Sequence, residues 1–465
     1  MQLMWFRKDL RINDNPALYQ CSLNGPAMAI YFVTPAQWKF HDTAPIQIDL
    51  MQRALNHLSH QLGQLGIVLH TIQVNTFDEI PEALLAFCNQ HQISHVYANS
   101  EIEINEIQRD IEIQTLFQKS DQQKLLLYQA DCLINPGEVV TQQGEMYKVF
   151  TPFKNCCLKI LREKINLQPY SSPVAQGDVV NNPEIILNLD KKESSAWPAS
   201  EGEAHQLLQT FIDFKVEDYH LNRDFPALSA TSQLGPCLAL GIISAKQCVY
   251  YLLQAFPRLL DGNESGPVIW LNEILWREFY RHIMVLNPHI GKGENYNIKA
   301  KNITWVNSQQ DFKAWCDGQT GYPLVDAAMQ QLNQTGWMHN RLRMVCASFL
   351  TKHLLIDWRW GEKHFKQHLV DGDFASNNGG WQWAASTGCD AQPYFRIFNP
   401  TLQSQKFDPN GEFIRIYLNN RLQQRQPLTM KQLHQPYEPI VEHKFARQRA
   451  LISFSVLKAS GHQEG

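Results

Sequence analysis

One stretch of the sequence, WLNEILWREFYRH, places acidic, basic and indole side chains at helical spacing. Trp270, Glu273 and Arg277 stand at positions i, i+3 and i+7, while Trp276 and Tyr280 fall on a neighbouring face of the same predicted helix. A carboxylate beside indoles can hydrogen-bond the edge of a base that stacks on them. An amphipathic helix with an internal Glu–Arg pair explains the same residues equally well.

A second stretch, GWMHNRLRMVCASFL, is also helical by pattern and is locally basic. Asn340, Arg341 and Met344 lie about one turn apart, with Arg343 beside them. Residues 337–366 hold six Lys or Arg against two acids, although the whole chain carries a formal charge of −4. Such a run usually forms a solvated basic face, and it becomes a candidate phosphate contact if an aromatic cleft lies beside it.

Two further segments carry groups suited to a phosphate or a flat ligand. TSQLGPCLALG begins with Thr231 and Ser232, whose hydroxyls can hold phosphate at a helix start or simply cap the helix. DGDFASNNGGWQWAAS, residues 371–386, combines two acids, two asparagines, a glycine pair and two indoles. We expect the glycines to interrupt regular structure and to let the backbone approach a flat ligand. We predict no metal site there, because neither a histidine nor a third acid stands at useful spacing.

Composition sets the class of protein. The chain has 465 residues, of which 44% are hydrophobic and 18% charged, as in globular proteins of two or three domains. Its ten cysteines include no C-x-x-C pair, which argues against a zinc module or a disulfide framework and for reduced thiols. The start, MQLMWFRKDLR, lacks the apolar run of a signal peptide, and no apolar span of about 20 residues occurs. We therefore expect a soluble cytoplasmic protein with no membrane partner.

The order of predicted elements indicates two domains. Residues 1–131 alternate short apolar runs with amphipathic helices, which predicts an α/β domain built on a doubly wound parallel sheet. Residues 132–205 are predicted to be a connector, and residues 206–465 an all-α domain that contains nine of the twelve tryptophans between Trp270 and Trp383. The candidate strands are LMWF (3–6), AMAIYFV (27–33), IVLHTIQ (67–73), HVYA (95–98) and KLLLYQ (124–129). No G-x-G-x-x-G follows any of them, although a ligand could still bind at their carboxyl ends.

Long motifs in these segments resemble the photolyase/cryptochrome family, and within it the class I bacterial photolyases that repair cyclobutane pyrimidine dimers. The resemblance runs nearly end to end, through MWFRKDLRINDNPAL, RDFPALSATSQL, WREFYRH, GWMHNRLRM, LLIDWRWGE and DGDFASNNGGWQWAASTGCDAQPYFRIFNP. It implies a carbon–carbon lyase, driven by light, in which excited reduced FAD passes an electron to a dimer flipped out of double- or single-stranded DNA. It also implies a monomer.

The resemblance assigns a set of residues to FAD in the helical domain. Arg343 and Asp371 are similar to an ion pair over the isoalloxazine, and Asn377 matches the position that faces the flavin N5. A neutral amide at that position can hydrogen-bond N5–H without exchanging a proton. The matched FAD positions are Tyr219, Thr231, Ser232, Gln233, Leu234, Gly235, Trp270, Arg343, Asp371, Gly372, Asp373 and Asn377.

The resemblance also implies roles at the DNA face and in electron transfer. Trp276 and Trp383 are similar to the indoles that wedge the flipped dimer, and Glu273 would hydrogen-bond its 5′ base. Asn340, Arg341 and Met344 would line the opposite wall of the lesion pocket. The positions matched to DNA contacts are Arg223, Glu273, Trp276, Arg277, Tyr280, Asn340, Arg341 and Gln403, and Trp381, Trp358 and Trp305 match a tryptophan chain that photoreduces the oxidised flavin.

An antenna site and several alternatives complete the prediction. Asn105 and Glu106 resemble residues that hold 5,10-methenyltetrahydrofolate, with Lys292 opposite, but Gly291 stands where the folate-binding relatives carry a cysteine. A deazaflavin antenna, or none, is the alternative. For the whole protein, the alternatives are a blue-light-sensing cryptochrome, one that prefers single strands, a non-catalytic DNA-binding scaffold, and a six-four photolyase. Six-four photolyases use paired histidines where His339 stands alone.

Overall fold

A computed structural model describes residues 1–261, 265–422, 433–434 and 438–458. Its contacts divide the chain into two compact units. The first unit contains Met1–His220, Thr231–Pro288 and Val370–Asp373, and the second contains Leu221–Ala230, His289–Leu369 and Phe374–Gly465. The domain boundaries at 1–131, 132–205 and 206–465 stay a prediction.

The five predicted strands form one parallel sheet in the first unit. They are β1 Gln2–Phe6, β2 Ala27–Val33, β3 Leu69–Gln73, β4 His95–Asn99 and β5 Lys124–Tyr128, in the order β3-β2-β1-β4-β5. Met4 on β1 pairs with Ala29 on β2 and with Tyr97 on β4. The strand order reverses between β1 and β4, so the carboxyl ends of these strands border the crevice where doubly wound sheets bind ligands. The predicted sheet is confirmed.

Helices α1 to α5 connect the strands of this sheet. Helix α1 starts where the Asn15 side chain accepts a hydrogen bond from Leu18 N, with Pro16 at the first helical position. Leu84 and Phe87 of α4, and Ile113 and Phe117 of α5, join the buried cluster that includes Trp5, Ile30 and Val96 of the sheet. The helices are α1 Pro16–Leu23, α2 Pro35–Phe40, α3 Pro45–Gln64, α4 Ile80–Gln90 and α5 Ile104–Ser120.

The predicted connector is irregular over most of its length but packed. It contains one helix, α6 Phe150–Glu163, followed by an extended run without regular structure. Val180 N donates to Gly63 O on α3 at 2.9 Å, and a Cβ on Gly63 would lie 2.3 Å from Val180 O. Glycine at this position therefore lets the connector lie directly against the helix.

Five more helices follow the connector: α7 Glu201–Phe214, α8 Tyr219–Asn222, α9 Gly235–Ala239, α10 Ala245–Ala255 and α11 Gly266–Leu286. Capping boxes start α7 at Ser200 and α10 at Ser244. Helix α11 has 21 residues and contains the whole WLNEILWREFYRH motif, as the helical pattern predicts.

Helix α11 also holds the chain that leaves β5. Oε2 of the fully buried Glu278 accepts from Leu133 N at 2.8 Å and from Ile134 N at 3.4 Å, and His282 Nε2 bonds Ile134 O. Within the described residues Glu278 Oε1 makes no hydrogen bond, although Arg277 Nη1 lies 3.6 Å away. Burial raises the pKa of the Glu278 carboxyl to about 7, against the lowering effect of the nearby arginines.

We expect Glu278→Gln to remove part of the pH dependence of stability. Because the folded pKa of Glu278 is raised, the wild-type fold loses stability as pH rises from the ordinary glutamate value through about 7. Glutamine keeps an acceptor for both backbone N–H groups and carries no charge. Between pH 5 and 8 the free energy of unfolding of the variant should gain roughly 1–3 kcal/mol on the wild type. Glu82→Gln, at an exposed glutamate, is the control, and its free energy of unfolding should differ from the wild-type value by a constant amount over this pH range. The same constant difference for Glu278→Gln would contradict the raised pKa of Glu278.

The second unit is helical, which confirms the prediction for the carboxyl-terminal half. Among the described residues of this unit, the helices are α12 Gln309–Cys316, α13 Pro323–Thr335, α14 Asn340–Ser348, α15 Trp358–Lys366, α16 Phe374–Ala384, α17 Pro400–Phe407, α18 Glu412–Leu422 and α19 His443–Ser453. A π-helical turn, Phe349–His353, continues α14. Short 3₁₀ turns occur in both units, at Phe77–Glu79, Leu259–Asp261, Pro288–Lys292, Ile298–Asn302 and Phe454–Leu457. Trp315, Trp358, Phe349 and Phe365 centre the core.

The predicted interruption at the glycine pair is wrong, because the NNGG segment lies inside helix α16. Four buried residues at helical spacing, Ala375, Asn378, Trp381 and Gln382, fix the helix by packing, which outweighs the low helix propensity of glycine. Gly380 is exposed, and a Cβ there would meet nothing within 4 Å.

All ten cysteines are free thiols. Every helix among the described residues is too short or too polar to span a bilayer.

Candidate functional site

Helix α11 carries an aromatic platform in the first unit. The Trp276 ring stacks on Phe150 with 3.7 Å between centroids and 8° between planes, and Tyr280 lies against it at 5.7 Å. Glu273 stands one turn before Trp276, and both side chains are half-buried. The Arg277 guanidinium instead binds Asp131 through its backbone O and Oδ1. A carboxylate and a braced, partly accessible indole are therefore placed side by side.

Trp270 and Tyr219 both contact one phenylalanine. Trp270 contacts Phe211 at 5.1 Å between centroids, and Tyr219 meets the same ring edge-on at 5.7 Å. All three side chains are buried in the first unit. The structure thus brings together two predicted cofactor residues that are 51 positions apart in the numbering.

The segment around Thr231 approaches the 371–373 segment closely. A Cβ on Gly235 would lie 2.7 Å from Asp371 Oδ2, so glycine is needed for this approach. Helix α9 begins at Gly235, and its N-cap residue is Leu234, with no side-chain capping bond, so the alternative that Thr231 and Ser232 cap this helix is not supported. Gln233, in the same segment, adopts a left-handed backbone conformation with φ of 55°.

Two side chains fix the 371–373 segment from other directions. Gln47 Nε2 donates to Val370 O at 3.3 Å and to Gly372 O at 3.1 Å. Arg281 makes a two-pronged ion pair with Asp373, at 3.2 Å from Nη1 to Oδ1 and 2.7 Å from Nη2 to Oδ2. The predicted cofactor positions of the first unit therefore lie in segments with defined conformations.

In the second unit a polar network orients Asn377. Its Nδ2 donates to Glu362 O at 2.9 Å, so the amide oxygen is the group left to accept a hydrogen bond from a ligand. Asn378 Nδ2 donates to Glu362 Oε1 at 2.8 Å, and Gln382 Nε2 donates to Asn378 Oδ1 at 2.9 Å. Sequence reasoning missed Glu362, because nothing in its spacing connects it with Asn377.

The three predicted relay tryptophans all belong to the second unit. Trp381 is 2% exposed and packs edge-on against Phe365 and Trp315. Trp358 is fully buried, and its indole N–H donates to Asn295 Oδ1 at 2.9 Å. Trp305 is half-buried, so the predicted series runs from buried indoles to one that solvent reaches.

The basic stretch before and within α14 forms a polar surface. Arg341 pairs with Asp224 at 2.7 Å and lies over the Phe407 ring at 4.6 Å, and Met344 Sδ is 3.8 Å from Arg341 Nη1. Asn340 is exposed at the first turn of the helix. Three other predicted positions of this unit are partly accessible: Arg223, which lies 3.9 Å from Asp224, Gln403 on α17 and Trp383 on α16. Arg343 Nε donates to Met338 O at 2.8 Å.

Two residues of this stretch, His339 and Lys352, are buried and therefore do not belong to a solvated basic face. His339 is buried and caps α14, with Nδ1 accepting from Arg341 N at 3.2 Å, and burial lowers its pKa to about 4. Lys352 is fully buried, its ammonium donates to Ser386 Oγ at 2.8 Å, and burial lowers its pKa to about 7. Lys352 therefore does not contribute to a phosphate-binding surface.

Asn105 and Glu106 begin α5 beside a cluster of charged groups. Asn105 Nδ2 lies 2.9 Å from His41 Nε2, and Glu106 Oε1 lies 3.5 Å from Lys8 Nζ. Glu106 is 2% exposed, and its Oε2 makes no hydrogen bond with any residue that the structure describes. Burial raises the pKa of Glu106 to about 7; Lys8 opposes this effect, and the neighbouring Glu103 and Glu101 add to it. Lys292, the third predicted antenna residue, is exposed in the second unit.

A cavity lined largely by polar and charged side chains opens at the carboxyl ends of three strands in the first unit. Its wall includes Arg7 after β1, Asn99 at the end of β4 and Asp131 after β5, together with Arg277 and Arg281 of α11. The cavity lies at the crevice that the strand order predicts.

The predicted site residues fall in both units. The first unit holds the positions on α11, at 219, at 231–235, at 371–373 and at 105–106, and the second holds the rest. Arg343 and Asp371 belong to different units, so their ion pair stays a prediction.

Comparisons with known proteins agree with the motifs. A model described as "DNA photolyase" matches residues 2–173, and one described as "FAD binding domain of DNA photolyase" matches residues 270–455. The chain is 42% identical to a deoxyribodipyrimidine photo-lyase of Vibrio cholerae, over 98% of this chain and 100% of the relative. It is also 42% identical to the Escherichia coli enzyme of that name, over 98% of both chains.

Solved structures show the same architecture over the whole chain. A bacterial class III photolyase from Agrobacterium tumefaciens superimposes with a TM-score of 0.80 at 33% identity, covering 98% of both chains. An archaeal photolyase from Sulfolobus tokodaii, described with two FAD molecules, gives a TM-score of 0.82 at 28% identity, covering 98% of this chain and 100% of the other.

Proposed function

The chain belongs to the DNA photolyase family, and we propose that it repairs cyclobutane pyrimidine dimers in DNA by a light-driven reaction with FAD as cofactor. The observation within this chain that carries the proposal is the position of the half-buried Glu273 one turn before the braced indole of Trp276 on α11. That arrangement offers stacking and a charged hydrogen-bond acceptor to one flipped base.

The residues present fit FAD. The hydroxyls of Thr231 and Ser232 do not cap α9, and Gly235 lets their segment lie against Asp371. In the second unit, Asn377 presents an amide oxygen of fixed orientation that can accept from a flavin N–H. When bound in its reduced form, FAD supplies the light-excited electron that opens the cyclobutane ring. The protein residues bind it, orient it and exclude water.

Residues on α11 are proposed to hold the flipped dimer. Flipping a dimer out of the duplex costs a few kcal/mol, which stacking on Trp276 offsets at ~1–3 kcal/mol per base. Glu273 would accept a hydrogen bond from the base edge of the dimer. Trp383 is proposed as a second indole that wedges the dimer, Asn340, Arg341 and Met344 as further lesion contacts, and Arg223, Arg341 and Gln403 as contacts to the DNA backbone.

Repair of six-four photoproducts is the alternative chemistry, and the state of His339 argues against it. Its imidazole caps α14, and the lowered pKa of about 4 keeps it neutral at physiological pH, so it is poorly suited to donate a proton. Illuminating the reduced protein with duplexes that carry one cyclobutane dimer or one six-four photoproduct tests this. We expect repair of the first and not of the second. The opposite selectivity would overturn the proposal.

We extend the proposal to a methenyltetrahydrofolate antenna at Asn105 and Glu106. The buried Glu106 Oε2, unpaired within the described ranges, is an acceptor for the N–H groups of a pterin ring. The cavity at the strand ends is the candidate site for the alternative, a deazaflavin. We also propose that the protein is a cytoplasmic monomer. Its free thiols suit a reducing compartment. Light scattering, which measures the mass in solution, tests whether it is a monomer.

Glu106→Ala should reduce folate occupancy, because it removes a hydrogen bond to a charged group worth about 1.5–3 kcal/mol. Near-ultraviolet absorption of the purified protein should fall, while repair driven by direct excitation of the flavin is retained. Wild-type occupancy should also fall as pH drops below about 7, where Glu106 becomes protonated and loses its charge. Glu103→Ala, which removes a neighbouring carboxylate from Lys8, is the matched control. Equal absorption in both variants would argue against the site.

A further inference from the structure

Arg281 joins two parts of the first unit that are far apart in the sequence. Its Nε donates to Asp131 Oδ2 at 2.6 Å, and its two terminal nitrogens bind both oxygens of Asp373. We infer that Arg281 is a positioning residue for the cofactor. Arg281 sets the place of the Asp373 carboxylate and is itself held by Asp131. This inference rests on the proposed function, in which the 371–373 segment binds FAD.

The geometry requires an arginine. Three nitrogens of one planar guanidinium reach two carboxylates at once, and the side chain is only 4% exposed. A lysine ammonium is a point charge on a flexible stem and cannot hold two carboxylates in fixed relative orientations. The guanidinium thus acts as a rigid spacer between Asp131 and Asp373.

Arg281 belongs to a cluster of two arginines and three carboxyl groups, one of which is Glu278, with its Oε1 3.6 Å from Arg277 Nη1. Asp131 binds Arg277 as well as Arg281, so two cations face the two carboxylates of Asp131 and Asp373. Burial raises the pKa of Asp131, but the two arginines outweigh it and lower the pKa to about 2. The anchor therefore stays charged at any pH at which the protein is used. Loss of Asp131 would leave Arg281 free to turn away from its present orientation.

The 371–373 segment depends on such contacts for its position. Only Val370–Asp373 of this part of the chain belongs to the first unit, while the residues on both sides belong to the second. Gln47 holds backbone oxygens of the segment and Gly235 packs against Asp371, but Arg281 acts on the Asp373 carboxylate itself. Arg281 therefore sets the direction of a group that is proposed to meet FAD.

Titration of FAD into apoprotein tests this inference. Asp131→Asn keeps the shape of the anchor, lies outside the assigned cofactor positions, and should raise the Kd for FAD roughly tenfold. Arg281→Gln should raise it at least as much, and Arg281→Lys should not restore it. The double variant Asp131→Asn/Arg281→Gln should bind no more weakly than Arg281→Gln alone, since both changes break one linkage. Arg258→Gln, at an exposed ion pair with Asp261, is the matched control.

A purely structural role predicts a different pattern. It would lower the melting temperature of the apoprotein and leave the Kd, measured where each variant is folded, at the wild-type value. That result, or additive effects of the two substitutions on Kd, would overturn the inference. If Arg281→Gln does not fold, Asp131→Asn alone still tests it. Failure of the wild type to bind FAD would instead contradict the proposed function.

Discussion

Glu273→Ala should weaken binding to dimer-containing DNA by roughly 10- to 100-fold, the loss expected for a desolvated hydrogen bond to a charged group. Glu273 stands one turn from Trp276, whose ring is braced by Phe150, so base and carboxylate meet at one place. The quantum yield of repair should fall too, because the carboxylate would hold the base edge while charge develops on the dimer. FAD content should stay at the wild-type level.

Two comparisons isolate this effect. Undamaged duplex should bind the variant almost as well as the wild type, because phosphate contacts dominate there. Glu217→Ala, at an exposed acid of the first unit, controls for the change in charge. If Glu273 were only part of a surface ion pair, its loss would cost at most about 1 kcal/mol of stability. Equal discrimination between damaged and intact DNA at one fixed salt concentration would contradict its role.

Trp381→Phe should slow photoreduction of the oxidised flavin by an order of magnitude or more. Phenylalanine keeps an aromatic ring at this buried position but is far harder to oxidise than indole. In the wild type, the indole ring of Trp381 packs against Phe365. Gly361 leaves room for the indole, since a Cβ on Gly361 would lie 2.1 Å from Trp381 Cη2. The smaller side chain should therefore be accommodated. Transient absorption after a laser flash measures the rate.

Repair must be separated from photoreduction in this variant. When the flavin is first reduced chemically, Trp381→Phe should repair dimers nearly as well as the wild type. Trp197→Phe, a substitution of similar size at a buried position in the first unit, should leave both reactions unchanged. Photoreduction of Trp381→Phe at the wild-type rate would exclude Trp381 from the chain.

The sheet could be predicted because each strand is a short apolar run between helical patterns. AMAIYFV, for example, coincides with β2 residue for residue, since a central parallel strand buried on both faces needs apolar side chains throughout. The helical pattern of residues 270–282, which lie within α11, was likewise visible in the sequence, although the start of the helix at Gly266 was not predicted. The roles of Trp276, Asn377 and Asp373 came from family resemblance, because residue type and spacing also fitted ordinary packing.

The remainder depended on contacts that sequence patterns do not encode. Asp131 and Arg281 are 150 positions apart, and Glu362 lies 15 before Asn377, so neither partner could be deduced from local spacing. Helix α16 forms through its glycine pair because one face is buried, which is a tertiary effect. Lys352 was counted with a basic surface because charge runs say nothing about burial.

Light-dependent repair by the FAD-loaded protein tests the central claim most directly. Purified protein, with its flavin chemically reduced and under exclusion of oxygen, is mixed with an oligonucleotide that carries one thymine dimer. We expect illumination in the flavin band to restore the two thymines, read as recovered absorbance at 260 nm, and to do so neither in the dark nor with free FAD. Intact dimers after illumination of protein shown to hold reduced FAD would contradict the account.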